Sequence, residues 1–208
     1  MAVSQAKENI LKKIRQALSS PVPLPFPHSE GAQSVFTSTE KEIEILFAEE
    51  FTKLQGRFAF CENEKDLHFQ LQQLIAEKKW DKIFSGEEKF IQLFSSIVKP
   101  YSDLALCDAS ITGCECLVAR TGSIVLSAAQ QRGRTASVYA PIHICIAYTN
   151  QLMYDTKDAL QFLKEKYGSN LPSSITFAAG PSRTADIEKT LVTGVHGPKE
   201  AYCFLVEG

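Results

Sequence analysis

The sequence has neither a G-x-G-x-x-G loop nor a Walker-type phosphate loop, so nothing in it calls for a dinucleotide or a nucleoside triphosphate. It has no C-x-x-C, although it carries six cysteines: Cys61, Cys107, Cys114, Cys116, Cys145 and Cys203. Four of these (Cys61, Cys107, Cys145 and Cys203) lie inside apolar runs, where a thiol acts as a small hydrophobe. Cys114-Glu115-Cys116 has no second pair at ligand spacing, so no metal site is expected in this chain. Nor is a disulfide framework expected. No apolar run approaches the ~20 residues of a bilayer span, and the N-terminus lacks the apolar region of a signal peptide. A cytoplasmic location is expected. A formal net charge of -2 gives no pull towards nucleic acid or an anionic membrane.

What is present suits one domain plus an appendage: 208 residues, 44% of them hydrophobic. Residues 1–38 read as a helix (Ser4 to Leu18, with Ile10, Leu11 and Ile14 at helical spacing) followed by a linker with prolines at 21, 23, 25 and 27. That helix carries Lys12, Lys13 and Arg15, which suit either a docking arm or a solvated face. Residues 39–208 read as the body. Helices are expected over Glu40–Gln55, Asp66–Lys79, Glu87–Val98, Met153–Tyr167 and, briefly, Asp186–Thr193. Strands are expected over Arg57–Glu62, Lys82–Ser85, Leu104–Cys107, Cys116–Ala119, Ser123–Ser127, His143–Tyr148, Ile175–Ala179 and Tyr202–Val206. This alternation implies an α/β fold with a parallel-rich mixed sheet flanked by helices.

Chemistry-bearing residues gather late in the chain. In Gly180-Pro181-Ser182-Arg183-Thr184, the expected helix start would offer free N–H groups and the positive dipole end to an anion, with Arg183 as a clamp. The loop follows a strand, where open α/β sheets place ligands. Ser182 or Thr184 could equally be a plain N-cap. His196 sits in Gly194-Val195-His196-Gly197-Pro198, on backbone that can approach a ligand closely, or in an ordinary turn. Arg132-Gly133-Arg134-Thr135 is a basic loop that could clamp a carboxylate or lie solvated. His143, after Pro141-Ile142, is either a ligand contact or a core histidine. Arg183 and His196 are the candidate catalytic pair. Thr121, Gly122, Ser123, His143, Ser182 and Thr184 are candidates for substrate binding.

Taken in order, Thr112-Gly113, Thr121-Gly122-Ser123-Ile124-Val125-Leu126, Pro141-Ile142-His143-Ile144, Gly180 to Glu188 and Gly194 to Pro198 resemble the lactate utilization protein C family, a class of LUD-domain proteins. The resemblance runs from about Lys7 to the C-terminus. It implies a fold similar to that of sugar isomerases and CoA transferases. It also implies work alongside two iron–sulfur partner subunits in oxidising L-lactate to pyruvate, with the clusters in the partners and a small carboxylate as ligand. Many relatives carry an acidic residue where this chain has Arg120, a change that favours an anionic ligand over a metal. Two other classes stay open: a stand-alone enzyme on a phosphorylated or CoA-linked substrate, and a non-catalytic assembly or regulatory subunit.

Overall fold

The computed structural model describes residues 5–19, 41–130, 133–187 and 190–208. The chain divides into two compact units, residues 1–40 and 41–208. The first contains helix α1 (Gln5–Leu18); the proline run lies outside the described residues.

The second unit is built on two sheets. Five strands form a wholly parallel sheet: β1 (Arg57–Cys61), β2 (Ile83–Phe84), β3 (Ala109–Thr112), β6 (Ile142–Tyr148) and β11 (Glu200–Val206), in the order β1-β11-β6-β3-β2. A mixed sheet of four has the order β7-β4-β5-β8, from β4 (Cys116–Val118), β5 (Ser123–Ser127), β7 (Leu152–Met153) and β8 (Ile175–Ala178). Two more strands, β9 (Arg183–Ile187) and β10 (Thr190–Thr193), form a separate antiparallel ribbon.

Period-two alternation sorts the side chains into layers. On β6 and β11, Ile144, Ile146, Tyr202, Phe204 and Val206 face helices α3 (Glu64–Lys78) and α4 (Glu88–Phe94). The alternate residues Cys145, Ala147, Ala201, Cys203 and Leu205 face the mixed sheet. There they meet Leu117, Ile124 and Leu126, with Phe47 and Phe51 of α2 (Ile43–Lys53) in the same layer. The outer face of the mixed sheet packs Cys116, Val118 and Val125 on Ala159 and Leu163 of α6 (Thr156–Tyr167). The order is therefore helices, parallel sheet, mixed sheet, helix. Cys114 and Cys116 fall in clusters on opposite sides of the mixed sheet, so this C-x-C does not act as one chelating pair.

Three expectations need correction. Leu104–Cys107 is not a strand: Leu104–Leu106 is a 3₁₀ turn whose Ala105 N–H donates to the Asp103 carboxylate, and Leu106 is exposed. The strand is Ala109–Thr112, which contains the β-branched Ile111 and Thr112 that Leu-Ala-Leu lacks. The fourth helix stops at Phe94 rather than Val98. Gly133 to Thr135, expected as part of a basic loop, open helix α5 (Gly133–Tyr139).

One buried carboxylate pins α6 to the mixed sheet. Glu115 is 2% exposed and accepts hydrogen bonds from Ser127 Oγ, from Tyr167 OH at 2.8 Å and from Lys166 Nζ at 2.7 Å. Burial pushes its pKa up, but the three donors outweigh this and hold it below the ordinary carboxylate value. Lys166→Met removes the cation paired with Glu115 and leaves the carboxylate buried, which should cost about 1–3 kcal/mol. Urea unfolding measures this, and an unchanged midpoint would mean that the pin carries no stability.

Candidate functional site

The segment expected to open a helix at Ser182 forms the β9–β10 ribbon instead. Thr184, Ile187, Thr190, Val192 and Thr193 are β-branched, and no apolar stripe at helical spacing opposes that preference. Residues 188 and 189 lie outside the described part. The base of the ribbon is tied by Ser182 N–H to the Pro198 carbonyl and by Gly194 N–H to the Ser182 carbonyl, each 2.9 Å. Glycine is required at its two entrances. Gly180 has φ +104° and would place a Cβ 2.6 Å from Leu54 O; Gly194 has φ +81°. No helix dipole is therefore available at Ser182, and an anion seat there cannot rest on one.

The ribbon base closes a cavity of about 190 Å³ at one end of the layer between the two sheets. His143 and Ala201 enter from the parallel sheet, Ile124, Thr176 and Ala178 from the mixed sheet, and Ser137 and Val138 from α5; Gly180, Ser182, His196, Gly197 and Pro198 complete the wall. His143 and Ala201 are register partners near the amino ends of β6 and β11. The cavity thus lies at the opposite end of the parallel strands from the one expected, although Gly180 does follow the carboxyl end of β8. Outside it lies a hollow of about 420 Å³, lined by Tyr139, Pro141, Val195 and Lys199 and sharing Val138, His196 and Gly197 with the inner cavity. Lys199 supplies a cation to the outer hollow, where a carboxylate at the mouth would meet it. A larger hollow of about 490 Å³ lies between α2 and β1, but Glu42, Glu44, Glu49 and Glu207 line it and repel anions.

His143 is 2% exposed, and its Nε2 lies 2.8 Å from Thr112 Oγ1. Burial lowers its pKa from 6.5 to about 4, so the ring is neutral at pH 7 and serves as a hydrogen-bonding base rather than a cation. Ser110, its register partner on β3, donates from Oγ to the Ala136 carbonyl and so holds α5 against the sheet.

The structure brings His143, Ser182 and His196 to one cavity. Arg183 and Thr184 lie next to it on β9, with Arg183 exposed, and neither lines the wall. Thr121, Gly122 and Ser123 do not line it either. Thr121 and Ser123 bond each other through their hydroxyls at 2.9 Å, and a Cβ on Gly122, which has φ +56°, would lie 2.4 Å from Phe51 N. That turn therefore serves the seating of α2. Arg120 directs its Nη2 to Asp155 Oδ1 at 2.8 Å, at the N-cap of α6, so its charge goes into an ion pair rather than into the cavity. Of the basic loop, Arg132 lies outside the described residues, as does the side chain of Arg134. Thr112, Ser137 and Thr176 were not singled out individually. For Thr112, a hydroxyl on a fully buried strand, the available signal was that such a group needs a partner. Among the described residues, no group of three or more His, Cys, Asp and Glu is placed to hold a metal ion.

Comparison with known proteins identifies the lineage. The LUD domain model matches residues 44–206, nearly all of the second unit. The chain belongs to the LUD domain family. A LUD relative named lactate utilization protein C, from Anoxybacillus flavithermus, is 27% identical over 186 residues, covering 81% of this chain and 83% of that one. Another of that name, from Halalkalibacterium halodurans, is 38% identical over 101 residues, covering 48% of this chain and 44% of the relative. An uncharacterized protein of Neisseria meningitidis serogroup B is 36% identical over 94 residues, covering 45% of this chain and 40% of that one. In two of these three matches, then, the chain spans less than half of the curated relative's length. A crystal structure of a DUF162 family protein from Deinococcus radiodurans shares the LUD fold seen here, with a TM-score of 0.57, 18% identity, and coverage of 83% of this chain and all of the other.

The buried imidazole gives this LUD domain a testable pH dependence. Its folded pKa lies below the unfolded value, so as pH falls from about 6.5 towards about 4 the unfolded ring takes up a proton that the folded one refuses. Stability should drop across that window by up to about 3 kcal/mol from this group. His143→Gln should flatten that part of the curve in chemical denaturation at a series of pH values. An identical slope in both proteins would show that His143 titrates normally.

Proposed function

We propose that this protein is a component of an L-lactate utilization system. It acts with two iron–sulfur partner subunits in the oxidation of L-lactate to pyruvate, and the cavity at His143 and His196 binds the small acid. One observation carries the reading. The cavity wall brings together His143, Gly180, Ser182 and His196 to Pro198, from stretches that are far apart in sequence, in a family whose relatives include proteins named lactate utilization protein C. The volume, about 190 Å³, suits a molecule of a few heavy atoms better than a nucleotide or CoA. A neutral imidazole inside and Lys199 outside offer complementary contacts for a hydroxy acid: a hydroxyl in the cavity and a carboxylate at the mouth. Oxidation of lactate to pyruvate breaks one O–H and one C–H bond and releases two electrons and two protons; in this reading the iron–sulfur partners would take the electrons, and His143 would accept the hydrogen bond of the hydroxyl.

Purification of the native protein from lactate-grown cells should recover the two iron–sulfur chains. In the reconstituted assembly, His196→Ala should lower lactate oxidation by about 10²-fold, the scale of losing a positioned acid, base or donor. An unaltered rate with an intact assembly would make this chain a structural subunit. Failure to recover any iron–sulfur partner would remove the reading altogether.

A further inference from the structure

The Thr112 hydroxyl has two neighbours within hydrogen-bond reach but only one hydrogen. Oγ1 lies 2.9 Å from the Gly113 carbonyl oxygen and 2.8 Å from His143 Nε2. A carbonyl oxygen only accepts, so the hydroxyl hydrogen must lie on that side. Nε2 must then carry a proton and donate it to Oγ1. The opposite assignment would leave two oxygens 2.9 Å apart with no hydrogen between them, in a buried setting where such a defect is costly. In the neutral ring the proton on Nε2 leaves Nδ1 with a bare lone pair.

We propose that Thr112 fixes the tautomer of His143, so that the cavity presents an imidazole lone pair and selects a small ligand that brings a hydroxyl or N–H donor. Thr112 is a positioning residue: it touches the ring and not the ligand. In a cavity reading that rests on the function proposed above, the consequence is discrimination between the two sides of the reaction. An α-hydroxy acid has an O–H to give to Nδ1. The corresponding α-keto acid would set a carbonyl lone pair against it and leave the nitrogen unpaired. A buried acceptor left without its donor weakens binding by roughly tenfold or more. The site should therefore hold L-lactate and release pyruvate.

Histidine nitrogen resonances of the full chain, labelled with ¹⁵N-histidine and recorded at pH 7, test this, with His143 assigned by loss of its signals in His143→Gln. Nε2 should appear protonated and Nδ1 bare. Thr112→Val should mix or invert the two, while Thr112→Ser, which keeps the hydroxyl, should restore them. Added L-lactate should shift Nδ1 and bind at least roughly tenfold tighter than pyruvate, a preference that should shrink towards one in Thr112→Val. A proton on Nδ1 in the wild type overturns the proposal, as do nitrogen signals indifferent to Thr112→Val or equal binding of the two acids. If the tautomer is as stated and neither acid binds, the positioning role of Thr112 stands and the lactate reading falls.

Discussion

Two sheets can lie face to face in this protein because the central strands turn small side chains towards each other. On β6 and β11 the inward residues are the small Cys145, Ala147, Ala201 and Cys203, with Leu205 towards the carboxyl end, while the bulky Ile144, Ile146, Tyr202 and Phe204 go to the helical side. The mixed sheet and the Phe47 and Phe51 rings of α2 occupy the room so made. Near the amino ends of the two strands the filling gives out. His143 and Ala201 stand there opposite Thr176 and Ala178, and the ribbon base closes over them. The cavity is a consequence of the layer arrangement: it begins where apolar side chains stop and a histidine takes their place. Exchanging Ala201 for a large residue would remove the space without touching a polar group.

The same packing sets the chemistry. Removal of His143 from water makes it neutral, and a neutral ring has one donor and one acceptor nitrogen whose order the surroundings must choose. The charge that an acid needs is kept outside, on Lys199 at the outer hollow, where it stays hydrated. Arg120, which by sequence promised a positive charge for the ligand, is instead engaged by Asp155.

Much of the frame was legible in the sequence because period and burial agree there. Ile142 to Tyr148 is a short, almost wholly apolar run buried on both faces, and Glu64 to Lys78 repeats leucines at helical spacing; both elements are found within two residues of expectation. The family blocks led to His143, Ser182 and His196, which share one wall. Other features were hidden for physical reasons. Gly180 to Thr193 has the capping residues of a helix start, but its β-branched residues form a ribbon, and local signals cannot rank those two outcomes. Gly122 was a candidate for substrate binding, but the close approach it permits is to the backbone of α2, since glycine reports crowding without saying by what. Thr112 entered only through the Thr112-Gly113 family block, and nothing local pointed to its role; its partner lies 31 residues away on a neighbouring strand.

The central claim is that the end of the inter-sheet layer is where the ligand binds. A crystal structure of the protein soaked with L-lactate tests it most directly. The account predicts a single acid in the cavity, its hydroxyl on His143 and its carboxylate directed towards the outer hollow at Lys199. Lactate bound elsewhere, with the cavity holding only water, would contradict it.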